Sequence, residues 1–207
     1  MFVVIFNCVE MQTKGSLSFE YSYDFNTNDV CNWLDTDKWG DTWQNPVLCG
    51  DIHVLYSSIA LDSKHAHCMI GRELIRFVKE PKKQSWFVID FKDIKVIPTN
   101  YSLKHYITFN TECLRNWKFE PSDDSTDGVN GQWVALINNN NDQLLNQKVA
   151  THKWTIHSYV VKNQPFGKFR LFQFGPNSNP HQYLQCSGFK IYGKILSGVD
   201  APKRRKI

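Results

Sequence analysis

The chain has 207 residues, of which 42% are hydrophobic and 14% aromatic, and its formal net charge is +4. This composition supplies a real hydrophobic core and excludes an intrinsically disordered chain. The length suits one domain with short tails, and so modest a charge, part of it in the last five residues, does not indicate nucleic-acid binding.

Both ends of the chain differ from the rest. Residues 1–6 are apolar, but Glu10 soon follows and no cationic region precedes them, so the run is too short for a signal peptide or a membrane span. We expect residues 1–15 to be a leader that is either flexible or an additional strand. Residues 198–207 form a basic tail around Lys203-Arg204-Arg205-Lys206, which predicts a solvated segment and leaves a nuclear-import signal as the alternative.

The first half of the chain predicts strands with one short helix. Alternation indicates an opening strand over 16–23, and a helix of one or two turns follows within 24–36, capped by Asn26, Thr27 or Asn28. Turn residues predict a loop over 36–51, an unusual one because it carries Trp39 and Trp43. A strand over 52–58 comes next. Residues 65–78 have apolar positions at a helical spacing, but Gly71 favours a loop with short strand pieces.

Three short apolar runs make up the centre of the chain. The run 86–91 reads as a strand that is buried on both faces, and the run 94–97 ends at Pro98, which predicts a strand end or an edge. A third strand begins at Tyr101 with a period of two. Consecutive strands with short connections favour an antiparallel all-β fold.

Further strands are expected in the second half, over 118–121, 133–138, 153–156, 166–174, 183–186 and 189–195, with 166–174 as a late central strand. The loop 122–131 contains Asp123, Asp127 and Gly128, which invites a calcium-loop interpretation. The twelfth position is Val134, however, where an EF-hand needs a bidentate glutamate, so turn chemistry is the better explanation.

Six cysteines are present without a C-x-x-C pair or the tight spacing of a disulfide scaffold: Cys8, Cys31, Cys49, Cys68, Cys113 and Cys186. We interpret them as reduced. Those in apolar contexts, Cys31, Cys113 and Cys186, are expected to behave as small core residues.

Motifs across most of the chain carry a family resemblance. Trp86 comes first, followed by Leu103-Lys104-His105-Tyr106, Leu114-Arg115-Asn116-Trp117, Gly175-Pro176-Asn177-Ser178 and residues 181–193. Together they resemble the discoidin-like (coagulation-factor type C, galactose-binding-like) domains of intracellular HECT-type ubiquitin ligases and BTB proteins.

The resemblance covers roughly residues 19–196 and implies an all-β fold: an antiparallel β-sandwich (jelly roll) with one or two short helices, over residues 16–197. Secreted discoidin domains tie their ends with a disulfide, and no such terminal pair is evident. This favours the cytosolic branch of the family and a cytoplasmic location.

In jelly rolls of this topology, loops at one end of the sandwich form the binding surface, because strands fix their bases while the loop backbones vary. The resemblance places residues 39–46, 108–116 and 175–181 there. The candidate binding residues are Trp43, Asn45, Thr111, Arg115, Asn116, Asn177, Asn179 and His181.

Two of these candidates have a structural alternative. The Arg115 guanidinium could clamp a carboxylate or a peptide carbonyl, or it could bond Asp90 or loop carbonyls and hold its own loop. Trp43 could be an exposed binding group or could fold inward as a lid over the core.

Catalysis and metal binding are disfavoured. No G-x-S-x-G, P-loop or glycine fingerprint stands in a recognisable context, so we expect no enzyme activity and no cofactor. His65, His67 and Cys68 are close in sequence, but no local spacing supplies a third and fourth zinc ligand.

The leading hypothesis is therefore a non-catalytic module for protein–protein interaction, with the ubiquitination machinery or its substrates as partner. The alternative is a carbohydrate-binding, lectin-like domain that uses Trp43, Asn45 and His181. Association with nucleic acid or an anionic membrane through the basic tail is the weakest hypothesis, because the domain has no broad basic stripe.

Overall fold

We describe the protein from a computed structural model, which places residues 16–36 and 42–196. The expected leader 1–15, Trp39 and the basic tail 198–207 lie outside the described residues. Within the described ranges, no helix has both the length and the apolar character needed to cross a membrane.

Short strands are the main regular secondary structure of the described chain. The strands are β1 (Ser16–Phe19), β2 (His53–Tyr56), β3 (Phe77–Val78), β4 (Trp86–Asp90), β5 (Val96–Lys104), β6 (Trp117–Ser122), β7 (Ile137–Asn139), β8 (Thr151–Thr155), β9 (Lys168–Gln173), β10 (Gln185–Cys186) and β11 (Gly188–Leu196). The helices are α1 (Val30–Asp35) and α2 (Ser158–Val161), together with a 3-10 helix over Ala66–Ile70.

Two main sheets form the sandwich. The first has four strands in the order β1-β11-β5-β8, and the second has five in the order β2-β4-β9-β6-β7. A two-stranded sheet joins β10 to β3. All of these strand pairs are antiparallel, so the predicted all-β sandwich with short helices is confirmed.

Aromatic rings from both sheets meet in the core. Tyr101 of β5 stacks on Phe119 of β6 with ring centroids 4.1 Å apart. Phe189 of β11 lies 6.2 Å from Phe87 of β4 in an edge-to-face arrangement. Such pairs stabilise by about 0.5–1.5 kcal/mol beyond the area that they bury. They fix the separation of the sheets and thus the bases of the connecting loops.

The loop 123–136 covers the outer face of the five-stranded sheet. Gly128 lies against the Trp86 ring, and its carbonyl accepts a 2.7 Å hydrogen bond from Arg170. The Trp133 ring packs on the same guanidinium, 4.1 Å away. This cover explains why β4 is buried on both faces, as its apolar run predicted.

Pro98 does not end a strand. It lies inside β5, which joins the expected run 94–97 to the strand expected from Tyr101 and ends at Lys104. Opposite it, the β11 register shifts between Tyr192 and Gly193, so that Gly193 pairs with Pro98 while Tyr192 pairs with Asn100. This bulge accommodates the missing proline donor. Strands β4 and β5 are consecutive in the chain but belong to different sheets.

Other boundaries differ from the prediction as well. Strand β1 ends at Phe19, earlier than expected, and α1 is capped by Asp29, whose carboxylate accepts from the Cys31 and Asn32 amides. The strand predicted over 133–138 is only β7, because Trp133 turns onto Arg170 instead.

Hydrogen bonds of a tight turn occur in the predicted loop 122–131, as the turn interpretation of its aspartates expects. The Asp127 carboxylate accepts from the backbone amides of Val129 and Asn130, both at 2.8 Å. An aspartate used in this way fixes a tight turn of its own backbone.

Candidate functional site

Two of the three predicted loops leave the same end of the five-stranded sheet. Trp117, the first residue of β6, pairs with Gln173, the last residue of β9. The segment before β6, residues 105–116, and the segment after β9, residues 174–184, are therefore neighbours. We call these two segments the loop cluster.

A buried carboxylate joins the two segments. Glu112 accepts hydrogen bonds from the side-chain amides of Asn177 at 2.5 Å and Asn179 at 2.7 Å. Nδ1 of His181 lies 2.7 Å from the same carboxylate. Glu112 is only 8% exposed, so the acid acts as an internal brace, and the Asn177, Asn179 and His181 side chains converge on it.

Further hydrogen bonds fasten the loop cluster. The Cys113 amide donates to Ser178 Oγ, and the Ser178 amide donates back to the Cys113 carbonyl, both at 2.9 Å. Asn116 Nδ2 donates to the Pro176 carbonyl at 2.7 Å, while its Oδ1 accepts from the Asn141 amide. The predicted binding residue Asn116 thus links three stretches of chain.

Arg115 holds its own loop in place, the second of the two roles predicted for it. It is 7% exposed, and its guanidinium donates to the carbonyls of Leu145 at 2.7 Å and Asp142 at 2.9 Å. A third contact reaches its neighbour's carbonyl, Leu114. These acceptors are loop carbonyls, and Asp90 is not among them. The side chain holds the loop 140–150 against the cluster.

Thr111 is exposed at the surface of the cluster, and its carbonyl lies 3.2 Å from His105 Nε2. His105 is fully buried and also lies 3.5 Å from the Cys113 sulfur. Burial lowers the pKa of His105 and raises the pKa of the Cys113 thiol. Burial therefore favours the uncharged form of both groups, as suits a packed core.

Trp43 and Asn45 are not brought into the loop cluster. Trp43 donates to Asp35 of α1 at 2.8 Å, with Arg72 over its ring, and is 37% exposed. Asn45 is buried and donates to the His67 carbonyl. Their segment leads into β2 at His53, which pairs with Asp90 at the opposite end of the sheet. Of the three loops expected at one end of the sandwich, the structure thus places two there.

An open cleft of about 540 Å³ lies beside the loop cluster. Its lining comes from the loop cluster, from residues 60–62, from the stretch around β3 and from β10: Ala60, Leu61, Asp62, Arg76, Val78, Glu80, Pro81, Tyr106, Phe109, Glu112, His181, Tyr183 and Gln185. Of the predicted site residues, only His181 lines it.

The other lining residues were not predicted. Leu61 and Phe109 are large, apolar and exposed. An apolar residue inside the predicted loop 108–116 is the signal that could have identified Phe109. No local pattern marks Glu112.

In the described part of the chain, no group of three or more His, Cys, Asp or Glu side chains is arranged to hold a metal ion. The His65 and His67 rings stack on each other with centroids 5.8 Å apart.

Comparison by sequence finds long relatives. The chain is 30% identical over 206 residues to the E3 ubiquitin-protein ligase hecd-1 of Caenorhabditis elegans, covering 94% of this chain and 8% of that protein. It is 28% identical over 186 residues to the E3 ubiquitin-protein ligase Ufd4 of Drosophila melanogaster, covering 88% of this chain and 7% of that protein. The chain thus spans less than a tenth of either relative. No family model matches it.

Comparison by structure finds carbohydrate-binding domains. The module CpGH89CBM32-5 of Clostridium perfringens, in complex with GalNAc-beta-1,3-galactose, superposes with a TM-score of 0.53 at 8% identity, over 70% of this chain and 97% of that one. A fucolectin from striped bass (Morone saxatilis) serum gives a TM-score of 0.54 at 12% identity, over 72% and 48%.

These findings confirm the resemblance predicted from the motifs. The fold is the discoidin-like, galactose-binding-like jelly roll, and the sequence relatives are HECT-type ubiquitin ligases.

Proposed function

We propose that this chain is a non-catalytic binding module that recognises a protein partner for a HECT-type ubiquitin ligase, through the cleft beside the loop cluster. The observation that carries the proposal is the bracing of the two loop segments by Glu112. Loops that are ordered before binding lose less conformational entropy on association.

The rim of the cleft has the composition of a protein-binding surface. Leu61 is fully exposed, and Phe109 is 57% exposed. Interfaces concentrate their binding energy in a few aromatic and apolar anchors that are surrounded by polar groups. Here Asp62 and His181 provide polar groups next to those side chains.

The relatives support the setting of this proposal. The matched proteins are named as E3 ubiquitin-protein ligases, and the chain corresponds to a small part of each. A module of this kind would bring ubiquitination components or substrates to the ligase, in the cytoplasm or, given the basic tail around Arg204, in the nucleus. Because this fold hosts many functions, the proposal is based on the cleft and not on the fold.

Affinity capture from native cells tests the proposal. The bait is the full chain, as wild type and as a Leu61→Ser, Phe109→Ala double variant, with Leu48→Ser, Val129→Ala as the control that changes exposed apolar residues outside the cleft. We expect ubiquitin-ligase subunits or ubiquitinated proteins with the wild type and the control, and their loss with the cleft variant. Retention of the same partners by the cleft variant would refute the role of the cleft.

Carbohydrate binding is the second candidate function. Two structural neighbours were solved with a galactose-containing ligand, and here the cleft places Tyr106, Phe109 and Tyr183 beside polar Glu112 and His181. The residues expected for a lectin, Trp43, Asn45 and His181, are not assembled into one site. Galactose binding on a glycan array that Phe109→Ala abolishes would favour this function, and silence at high protein concentration would reject it.

A further inference from the structure

More acidic than basic side chains line the cleft. Three carboxylates line it, Asp62, Glu80 and Glu112, against one arginine, Arg76. Arg76 is already paired with Asp62 at 2.6 Å, and Glu80 with Lys82 at 2.6 Å. The Asp62 and Glu80 side chains are 71% and 42% exposed. Ion pairs that are this exposed contribute little and can exchange partners.

A buried acceptor lies in the same lining. The Oε1 atom of Gln185 is buried and has no hydrogen-bond donor among the residues that the structure describes. Leaving a buried polar atom unsatisfied costs about 1–3 kcal/mol. Gln185 lines the cleft, so a rotation of its side chain would present this oxygen to a ligand that brings several N–H donors.

Aromatic rings form part of the walls. Phe109 meets Tyr106 edge to face at 6.3 Å, and Tyr183 meets His181 edge to face at 5.7 Å. The faces of such rings attract cations. Carboxylates, an unsatisfied carbonyl and aromatic rings therefore occur together at one place.

We infer that the cleft recognises an arginine side chain of an extended partner segment, an inference that rests on the proposed protein-binding function and names its ligand chemistry. A planar guanidinium presents five N–H donors, pairs with carboxylates through two parallel hydrogen bonds and stacks on aromatic rings. Asp62 and Glu80 supply the charge, Gln185 accepts a hydrogen bond, and Phe109 and Tyr183 provide the apolar contact.

An NMR titration of the isotopically labelled full chain tests this. The probe is the peptide N-acetyl-Gly-Gly-Arg-Gly-Gly-amide, and its matched control carries citrulline, which keeps the shape of arginine and removes the charge. We expect the arginine peptide to shift the amide signals of Phe109, Tyr183 and Ala60. Citrulline should bind at least about tenfold more weakly, the effect of losing roughly 1.4 kcal/mol.

A charge-neutralising variant sharpens the test. Asp62→Asn, Glu80→Gln changes two exposed carboxylates of the cleft, and Asp93→Asn is the control on an exposed carboxylate outside the lining. We expect the cleft variant to lose about tenfold in arginine-peptide affinity and the control to lose none. Binding by the wild type should also weaken as salt is raised.

Equal binding of the arginine and citrulline peptides, shifts confined to residues outside the cleft, or no shift at all would each overturn the inference. These failures are distinct from failure of the proposed function. If Leu61→Ser, Phe109→Ala abolishes partner capture while the arginine peptide does not bind, only the ligand chemistry is refuted. If the peptide binds while that variant keeps all partners, the proposed function is refuted instead.

Discussion

Glu112 shows how a single residue can organise a surface. It has a positive φ of 64°, and three side chains from residues 174–184 meet its carboxylate. A carboxylate accepts from several donors at once, whereas a primary amide replaces one acceptor oxygen with a donor. The residue therefore has to be an acid.

We predict that Glu112→Gln destabilises the protein by about 1–3 kcal/mol, the cost of placing an amide against buried donors. Urea unfolding followed by tryptophan fluorescence measures the loss. Thr111→Ser is the neighbouring control, since Thr111 is exposed and the change keeps its hydroxyl. A Glu112→Gln protein as stable as the control would mean that the carboxylate does not hold the two segments.

At this scale the sequence identified the donors and missed the acceptor. Asn177, Asn179 and His181 were predicted as partner-binding residues, and in the structure their side chains meet the Glu112 carboxylate inside the loop cluster. Pattern analysis places acids and lysines at the surface because burying a charge is costly. The same expectation is wrong for Lys79, which is fully buried and donates to the Trp86 carbonyl. Burial lowers its pKa to about 6.

At the scale of elements, strands were predictable where alternation or continuous apolar character is local. Strands β4 and β9 were found in this way. Strand β5 was divided in two because Pro98 forbids a ladder hydrogen bond, and only its distant partner shows how the strand continues. Gly193 has a φ of +146°, and a Cβ there would lie 2.1 Å from the Ile97 carbonyl oxygen. Such a bulge depends on both strands, so one strand's sequence does not reveal it.

The loop 123–136 allows the packing of an element to be tested with a matched pair of glycines. Gly128 and Gly50 have nearly the same φ, +82° and +85°. A Cβ on Gly128 would lie 2.4 Å from the Trp86 ring, whereas on Gly50 it would meet only the end of Lys92 at 3.8 Å.

We therefore expect Gly50→Ala to cost only the left-handed backbone strain, about 1–2 kcal/mol. Gly128→Ala should cost about 1–3 kcal/mol more, through overpacking against the sheet. Chemical denaturation of both variants gives the difference. Equal losses would show that the loop does not rest on Trp86.

At the scale of the whole molecule, the fold could be predicted and the order of the strands could not. Motif resemblance indicated a jelly roll, but the assembly of the cleft depends on which strand ends coincide. Strands β6 and β9 pair so that residues 105–116 and 174–184 meet, whereas β2 begins at the opposite end and carries the Trp43 segment away. The local alternation of apolar and polar residues does not show which distant strands pair.

The cysteines report on packing across the whole molecule. Cys31 of α1, Cys113 of the loop cluster and Cys186 of β10 are free and buried, while Cys49 is free and exposed. Burial raises the pKa of Cys186 to about 11, so at pH 8 only about one thousandth of that thiol is the reactive thiolate. Access and ionisation thus both protect the buried thiols.

We predict that iodoacetamide at pH 8 modifies Cys49 rapidly and Cys31, Cys113 and Cys186 at least about a hundredfold more slowly, with rates that rise with urea as the protein unfolds. Peptide mass spectrometry in a Cys8→Ser background measures each site separately. The three sites lie on different elements, so a common urea dependence indicates one cooperative sandwich. Modification of Cys186 at the rate of Cys49 without denaturant would instead show that β10, and with it the Gln185 side of the cleft, opens independently of the core.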